Sequence, residues 1–141
     1  MSQPSVPADF ELYVRNSNFS ELTGPYFVKA EKGSNLSLGM IIESRHLNRV
    51  NVAHGGVLMT LADNALGDAV IHAFDEPVSV VTVSMSTDFI TSATLGEWVV
   101  AETEVHRRGR RLMFVECMLR AGDRKIMRAS AVMSLIKKPA Q

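Results

Sequence analysis

The fold is decided by the stretch Asn48-Arg-Val-Asn-Val-Ala-His54-Gly55-Gly56-Val-Leu-Met-Thr-Leu-Ala-Asp63. In it, a polar loop leads into a His-Gly-Gly turn, and an Ala- and Leu-rich segment follows to about Ala73. Apolar residues of that segment recur at helical spacing over a wide arc, which is typical of a helix covered by other structure. They stand at positions 57, 58, 61, 62, 65, 66, 69, 70 and 73. The pattern therefore predicts one long central helix.

The first turn of this helix offers a place for a carbonyl oxygen or an anion. Its backbone N–H groups have no partner within the helix, and the helix dipole places partial positive charge there. Gly55 and Gly56 leave that backbone unshielded. Asp63 follows seven residues after Gly56, roughly 10 Å further along the axis. A carboxylate so far away cannot act on a carbonyl at its own helix start. A shared reaction therefore needs a second copy of the chain, with the two helices antiparallel.

The segments around the helix predict mostly strands. Residues 26–31 and 36–43 suggest a hairpin joined near residues 32–35, whose Lys-Gly-Ser-Asn sequence suits a turn. Residues 78–89, 97–107, 110–120 and 124–136 suggest four further strands, which short turns should make mostly antiparallel neighbours. Residues 1–7 suggest a loose arm, residues 8–18 a short helix and residues 20–25 a turn. We expect an arm with a short helix over residues 1–20 and an α+β domain over residues 21–141.

The Asn-x5-His-Gly-Gly-x6-Asp pattern from Asn48 to Asp63 resembles the PaaI-type branch of the hotdog-fold acyl-CoA thioesterases. The resemblance continues through the Ser- and Thr-rich strand and Leu-Gly-Glu turn of residues 81–97, and then to about Ile136. It implies a curved antiparallel sheet wrapped around the one long helix. It also implies hydrolysis of an aromatic or medium-chain acyl-CoA thioester to a carboxylic acid and free coenzyme A. Such an enzyme is at least a homodimer, and the resemblance suggests a homotetramer arranged as a dimer of dimers.

The resemblance separates residues that spacing alone leaves equivalent. From spacing, Asp63 and Asp68 both fit solvated residues on the polar stripe of the helix. The resemblance makes Asp63, and not Asp68, the catalytic carboxylate, which either attacks the thioester carbonyl or activates a water. It implies that N–H groups of Gly55 and Gly56 hold the thioester oxygen as it gains charge. The two glycines also fit a tight turn that lets the helix pack closely, and the two interpretations are compatible.

Three further residues match positions of the same family. No Ser or Cys with a supporting acid is spaced to form a triad with His54. A hydrogen bond that fixes the loop is therefore the favoured role for His54, and acid–base work is the alternative. The resemblance implies that Asn48 and Thr82 bind or orient the attacking water. Without it, they would be an ordinary loop residue and an ordinary strand residue.

Residues 106–111, His-Arg-Arg-Gly-Arg-Arg, form a dense basic cluster across a predicted hairpin turn. Arg107, Arg108, Arg110 and Arg111 could bind the phosphates of coenzyme A, or they could form a solvated turn. Both interpretations stay open, because alternation along a strand cannot aim four side chains at one ligand. No set of Asp, Glu, His or Cys has metal-ligand spacing. We therefore expect no metal and no cofactor, coenzyme A being part of the substrate.

An apolar acyl pocket is expected beside the helix. Leu58, Leu61, Phe74 and Phe89 are the candidates for its floor. Such a lining accepts aromatic and aliphatic groups alike, so the acyl group stays open.

Composition limits the remaining possibilities. The 141 residues suffice for one domain, and 15 basic against 15 acidic residues argue against a general nucleic-acid binder. Cys117 is the single cysteine, so no intrachain disulfide can form and a reducing compartment is expected. The sequence contains neither an apolar run of membrane-spanning length nor a signal-peptide pattern. We expect a cytoplasmic protein without nucleic-acid or membrane partners.

Two other functions compete with the thioesterase. A hotdog hydratase or dehydratase acting on acyl thioesters would pair a histidine with a carboxylate across a longer motif that this sequence lacks. A non-enzymatic acyl-CoA binding protein would keep the basic cluster and the pocket without needing Asp63.

Overall fold

The computed structural model describes residues 5–30 and 35–137, apart from the side chains of residues 107 and 137. The elements are, in chain order, β1 (Glu11–Tyr13), α1 (Asn18–Thr23), β2 (Tyr26–Ala30), β3 (Leu36–Ile41), a 3-10 turn (Ser44–His46), α2 (Gly55–His72), β4 (Ser79–Phe89), β5 (Trp98–Arg108), β6 (Leu112–Ala121) and β7 (Arg124–Lys137). The strands form one antiparallel sheet in the order β1-β2-β3-β5-β6-β7-β4. The predicted α+β class is confirmed.

Helix α2 begins at Gly55 and ends at His72, as the hydrophobic periodicity predicts. Its apolar side chains pack on the inner face of the sheet, where Leu61 and Leu66 are fully buried. The opposing layer consists of buried side chains from β3, β5, β6 and β7, including Leu38, Met40, Val99, Met113, Leu119, Met127 and Met133. Burying each large side chain contributes about 1.5–3 kcal/mol. This layer therefore holds α2 in one orientation, with Asp63 on a half-buried stripe.

On the outer face of the sheet, an aromatic cluster ties the N-terminal segment down. The Trp98 ring lies over Gly39, where an added Cβ would come within 2.3 Å of the ring. Phe10 and Phe27 contact the indole edge-on, with centroid distances of 5.0 and 6.0 Å. The close approach of this large ring therefore requires glycine at position 39.

The N-terminal segment differs from the prediction. Residues 8–18 do not form a helix, because Glu11–Tyr13 extends as β1 and pairs with β2. The short helix comes later, as α1, where the Ser17 hydroxyl accepts a hydrogen bond from Ser20 N–H. The predicted turn at residues 20–25 is thus helical up to Thr23. Helix α1 spans the boundary expected between residues 20 and 21.

The sheet ends in the edge strand β4. Strands β2 and β3 form the expected hairpin, while residues 32–34 of its predicted turn lie outside the described residues. Strand β4 pairs with β7 rather than with β5, its successor in the chain. As a result, β4 has a neighbour on one side only within the described chain.

No helix in the described ranges is long and apolar enough to cross a membrane.

Candidate active site

The loop before α2 is shaped by its own polar groups. Asn48 Oδ1 accepts hydrogen bonds from the N–H groups of Val50 and Val52, at 3.0 and 3.2 Å. Asn51 has a φ of 63°, a left-handed conformation that Asn tolerates better than most residues. The Asn48 side chain thus stabilises the loop through these two hydrogen bonds. Its role in binding an attacking water stays a prediction.

A buried histidine anchors the base of this loop. His46 Nδ1 accepts from Glu43 N–H at 2.9 Å, and its Nε2 lies 2.7 Å from the Thr23 carbonyl oxygen. Burial lowers the pKa of His46, which favours a neutral ring that donates from Nε2. The His46 carbonyl in turn accepts from His54 N–H at 2.8 Å. These contacts fix the point at which α2 begins.

His54 caps α2 and leaves one N–H group of the first turn available. Its Nδ1 accepts a hydrogen bond from Gly56 N–H at 2.8 Å, the kind of loop-fixing contact that was predicted. Within the described chain, Gly55 N–H has no hydrogen-bond acceptor. The expectation that both glycine N–H groups hold the substrate oxygen is therefore corrected. The His54 ring occupies Gly56 N–H, and Gly55 supplies the free donor.

Asp63 lies two turns further along α2 and is bound by Thr82 of β4. The Thr82 hydroxyl donates to Asp63 Oδ1 at 2.5 Å. The pairing of β4 with β7 shifts register between Thr82 and Ser84, and such a bulge re-aims neighbouring side chains. Within the described residues, Asp63 Oδ2 has no hydrogen-bond partner. One carboxylate oxygen is thus held, and the other can bind a water or face a carbonyl carbon.

The structure separates the carboxylate from the free N–H group of the same chain. Gly55 and Asp63 stand eight residues apart on α2, a separation of about 12 Å along the axis. Thr82 and Asp63 are brought together within one chain, whereas Gly55 and Asp63 are not. The two halves of the predicted site can therefore meet only between two copies.

Asp68 contradicts the expectation of a solvated residue. Its side chain is only 7% exposed and forms an ion pair with Arg15, which precedes α1. Arg15 also donates from Nε to the Ser20 hydroxyl at 3.1 Å. Burial raises the pKa of Asp68 to about 6, the Arg15 charge opposes this rise and the Asp63 charge adds to it. Helical spacing gave no sign of this pair, because its members are 53 residues apart in sequence.

An open groove of about 360 Å³ lies beside Gly55. Its lining consists of Ala53, Gly55, Leu58, Phe89, Ile90, Thr91 and Ser92. Leu58 and Phe89 were predicted for the acyl pocket and do line this groove. Leu61 and Phe74, predicted for the same pocket, do not line this groove. Leu61 is fully buried in the core facing the sheet, and Phe74 lies beyond the other end of α2, under Arg108.

The basic cluster does not act as one unit. Arg108 Nη1 donates to the Ala73 carbonyl at 2.5 Å, which places a cation at the C-terminal end of α2. Arg110 and Arg111 are exposed at the turn after β5. The side chain of Arg107 lies outside the described residues. The geometry therefore gives Arg108 a structural role, and phosphate contacts by the others stay a prediction.

Strands β5 and β6 bring together three exposed side chains that sequence spacing did not connect. Atoms of Glu104, His106 and Glu116 that could bind a metal lie within 4.8 Å of one another. His106 Nε2 lies 2.7 Å from Glu116, and its Nδ1 lies 3.5 Å from Glu104. Each ring nitrogen thus faces its own carboxylate, so the contacts of His106 with Glu104 and Glu116 account for the cluster. The absence of a metal from the reaction stays a prediction.

By its fold and geometry this is an α+β protein with a free N–H group at the start of its central helix and a carboxylate two turns further along. The family model of the thioesterase superfamily matches residues 50–127. The Pseudomonas aeruginosa protein PA0474, which bears the name of an esterase, is 35% identical over 131 residues, covering 93% of this chain and 98% of that protein. The chain belongs to the thioesterase superfamily and is a thioester hydrolase.

Solved structures share the fold of this chain. The PaaI protein of the phenylacetic acid degradation operon of Escherichia coli superimposes with a TM-score of 0.79 at 16% identity, covering 89% of each chain. A hypothetical thioesterase protein of Streptococcus pneumoniae with coenzyme A has a TM-score of 0.74 at 20% identity, covering 93% of this chain and 98% of that one. The predicted PaaI-type hotdog fold is confirmed.

Proposed function

We propose that this hydrolase acts on acyl-CoA thioesters and releases a carboxylic acid and free coenzyme A. One observation carries the proposal. Helix α2 presents the free Gly55 N–H at its start and, two turns later, the Asp63 carboxylate fixed by Thr82. The name of a human relative, acyl-coenzyme A thioesterase 13, supports the substrate class. It is 28% identical over 97 residues, which cover 69% of each chain. The presence of coenzyme A in the streptococcal structure gives further support.

The active unit is a homodimer at minimum, because Gly55 and Asp63 of one chain lie too far apart to share a substrate. Strand β4 supplies the pairing surface, since it has a free edge within the described part of the chain and its residues Val81 and Val83 are 45% and 59% exposed. Two-fold pairing of β4 with its copy sets the two α2 helices antiparallel. The start of each helix then faces Asp63 of the other. A dimer of dimers, joined through other surfaces, completes a homotetramer.

The proposed reaction uses the two halves as follows. The thioester oxygen accepts a hydrogen bond from Gly55 N–H, which favours negative charge on that oxygen as the carbonyl is attacked. Asp63 of the partner chain either attacks the carbonyl carbon or removes a proton from a water that does. Thr82 holds Oδ1 so that Oδ2 points at the reacting atoms. The C–S bond then breaks, and coenzyme A leaves as a thiolate that takes up a proton. If water has attacked, the carboxylic acid is formed directly. If Asp63 has attacked, the acyl group is left on its carboxylate as a mixed anhydride, which water then hydrolyses to the carboxylic acid and free Asp63.

Coenzyme A itself needs cations for its phosphates. Arg110 and Arg111 supply them in this proposal, because Arg108 is engaged at the end of α2. No cofactor takes part. A reducing compartment such as the cytoplasm suits the enzyme, since its one cysteine, Cys117, is a buried thiol.

Subunit complementation tests the shared site. An Asp63→Asn chain and a Gly55→Pro chain should each be inactive alone, since one lacks the carboxylate and the other the N–H donor. Proline is tolerated at the first helical position. Co-expression should restore about a quarter of wild-type thiol release, because half the dimers are mixed and each mixed dimer has one intact site. If no co-expressed sample releases thiol faster than the two single variants, a site shared between two chains is contradicted. The assay measures thiol release from benzoyl-, phenylacetyl- and straight-chain acyl-CoA.

A further inference from the structure

The ring of Phe89 lies against the start of α2. Phe89 is the last residue of β4, and its partner across the ladder to β7 is the buried Met127. Two ring carbons of Phe89 come within 3.2 Å of where a Cβ on Gly55 would stand. The Phe89 side chain nevertheless stays 54% exposed. A large apolar ring is therefore held at the one free N–H group of the first turn, with its other side open.

The groove beside this contact is suited to an apolar group. Its lining, given above, contains no charged side chain. Leu58 and Ile90 add aliphatic surface to the Phe89 ring. A volume of about 360 Å³ is at the lower end of small-molecule pockets. The phosphates of coenzyme A do not fit this lining, since charged groups need polar partners when they leave water. The acyl portion of the substrate does.

We propose that Phe89 is a specificity-determining residue, whose ring at Gly55 limits the length of the acyl group that the groove accepts. The inference rests on the proposed function, because it places the thioester oxygen on Gly55 N–H. An acyl chain that extends from the thioester at Gly55 along the groove is blocked by the Phe89 ring. Short acyl groups fit beside the ring, whereas longer chains must leave their terminal methylenes in water.

Removing the Phe89 ring should favour longer acyl groups. Each methylene that gains a buried place contributes about 0.8 kcal/mol, which is roughly a fourfold change in an equilibrium or rate ratio. Replacing Phe89 by Ala vacates space for several methylenes. The effect should therefore appear in the ratio of kcat/KM for long and short acyl thioesters, since a general loss of activity or stability cancels from that ratio.

The test compares Phe89→Ala and Phe89→Leu with the wild type on even-numbered straight-chain acyl-CoA substrates from butyryl to dodecanoyl. The matched control is Phe114→Ala, which removes the same ring from the opposite face of the sheet, where Phe114 is 40% exposed. We expect the decanoyl-to-butyryl ratio of kcat/KM to rise at least about tenfold in Phe89→Ala and less in Phe89→Leu. The ratio in Phe114→Ala should stay at the wild-type value.

The outcomes separate the two claims. If the wild type turns over the series and neither Phe89 variant changes the ratio, the role of Phe89 is wrong while the proposed function stands. An equal change of the ratio in Phe114→Ala also overturns the role, because the effect would not depend on the groove. If the wild type releases no thiol from any member of the series or from benzoyl- and phenylacetyl-CoA, the proposed function fails, and this inference with it. Phe89→Leu keeps an apolar side chain in the groove and provides the measurement should Phe89→Ala not fold.

Discussion

Asp63 and Asp68 stand five residues apart on the same helix, and their surroundings are opposite. Asp63 is half-buried, with one oxygen bound by the Thr82 hydroxyl and the other available. Asp68 is almost completely buried and ion-paired with Arg15. Five residues correspond to more than one turn, so one carboxylate faces the edge strand β4 and the other faces the segment before α1.

One helix therefore carries a carboxylate suited to chemistry and another that stabilises the structure. A reacting carboxylate must be reachable and must keep a free oxygen, and these conditions hold for Asp63. A buried carboxylate needs a cation close by, because its charge has lost water. Arg15 meets that need, and in doing so it attaches the N-terminal segment to α2. Substitutions at Asp63 should therefore change turnover, whereas substitutions in the Arg15–Asp68 pair should change stability.

The largest effect is expected from Asp63→Asn. Asparagine keeps the shape of the side chain but can act neither as nucleophile nor as base. The value of kcat should therefore fall by about 10²–10⁴-fold, while the urea midpoint stays close to that of the wild type. Asp68→Asn is the matched control, since it makes the same chemical change on the same helix. A comparable loss of turnover in both variants would contradict a catalytic role for Asp63 that Asp68 does not share.

Next in size is the effect of Arg15→Met on stability. Methionine keeps the aliphatic bulk but leaves the Asp68 carboxylate without its cation. Removing one member of a buried ion pair costs about 3 kcal/mol or more in the free energy of unfolding. Urea denaturation at pH 7 measures this loss. Arg128→Met is the control, because the Arg128–Asp88 pair is solvent-exposed and its loss should hardly move the midpoint. Equal losses in both variants would show that burial does not distinguish the two pairs.

The pH dependence of stability gives a third test. Burial raises the pKa of Asp68 in the folded state to about 6, above its ordinary value of 3.8. Between these values the folded state holds a proton that the unfolded state has lost, so stability falls as pH rises from about 4 to about 6. A shift of this size corresponds to about 3 kcal/mol. Asp68→Asn removes this proton uptake, and its stability relative to the wild type should rise across the same window. A parallel course of the two stability curves would mean that Asp68 titrates normally.

The smallest expected effect concerns Thr82. Thr82→Val keeps the shape of the side chain but removes the hydroxyl that donates to Asp63 Oδ1. A hydrogen bond to a partly exposed charged group is worth about 1.5 kcal/mol, so kcat should fall about tenfold. Thr82→Ser restores the donor and should stay within about twofold of the wild type. Equal activity in the valine and serine variants would leave Thr82 without a role in holding the carboxylate.

Local patterns in the sequence predicted α2 and the strands after it, because helical and strand periodicity depend on neighbours within a few residues. The loop before α2 was likewise readable from the motif that begins at Asn48. The N-terminal segment was predicted wrongly. Its pairing as β1 depends on β2, and residues 8–18 carry no sign of that partner. The sequence predicts a free donor at both glycines. Only the structure shows that the His54 ring occupies Gly56 N–H.

Two features follow from the order of residues in the chain: one apolar helix comes after a His-Gly-Gly turn, and Asp63 cannot reach the start of its own helix. Both follow from local geometry, since rise and period per residue are fixed. Only the three-dimensional arrangement shows that β4 pairs with β7 and has no second neighbour within the described residues, that Thr82 reaches Asp63, and that Arg15 pairs with Asp68. These contacts join residues far apart in the chain, and they are selected by the burial of the whole core rather than by any local pattern.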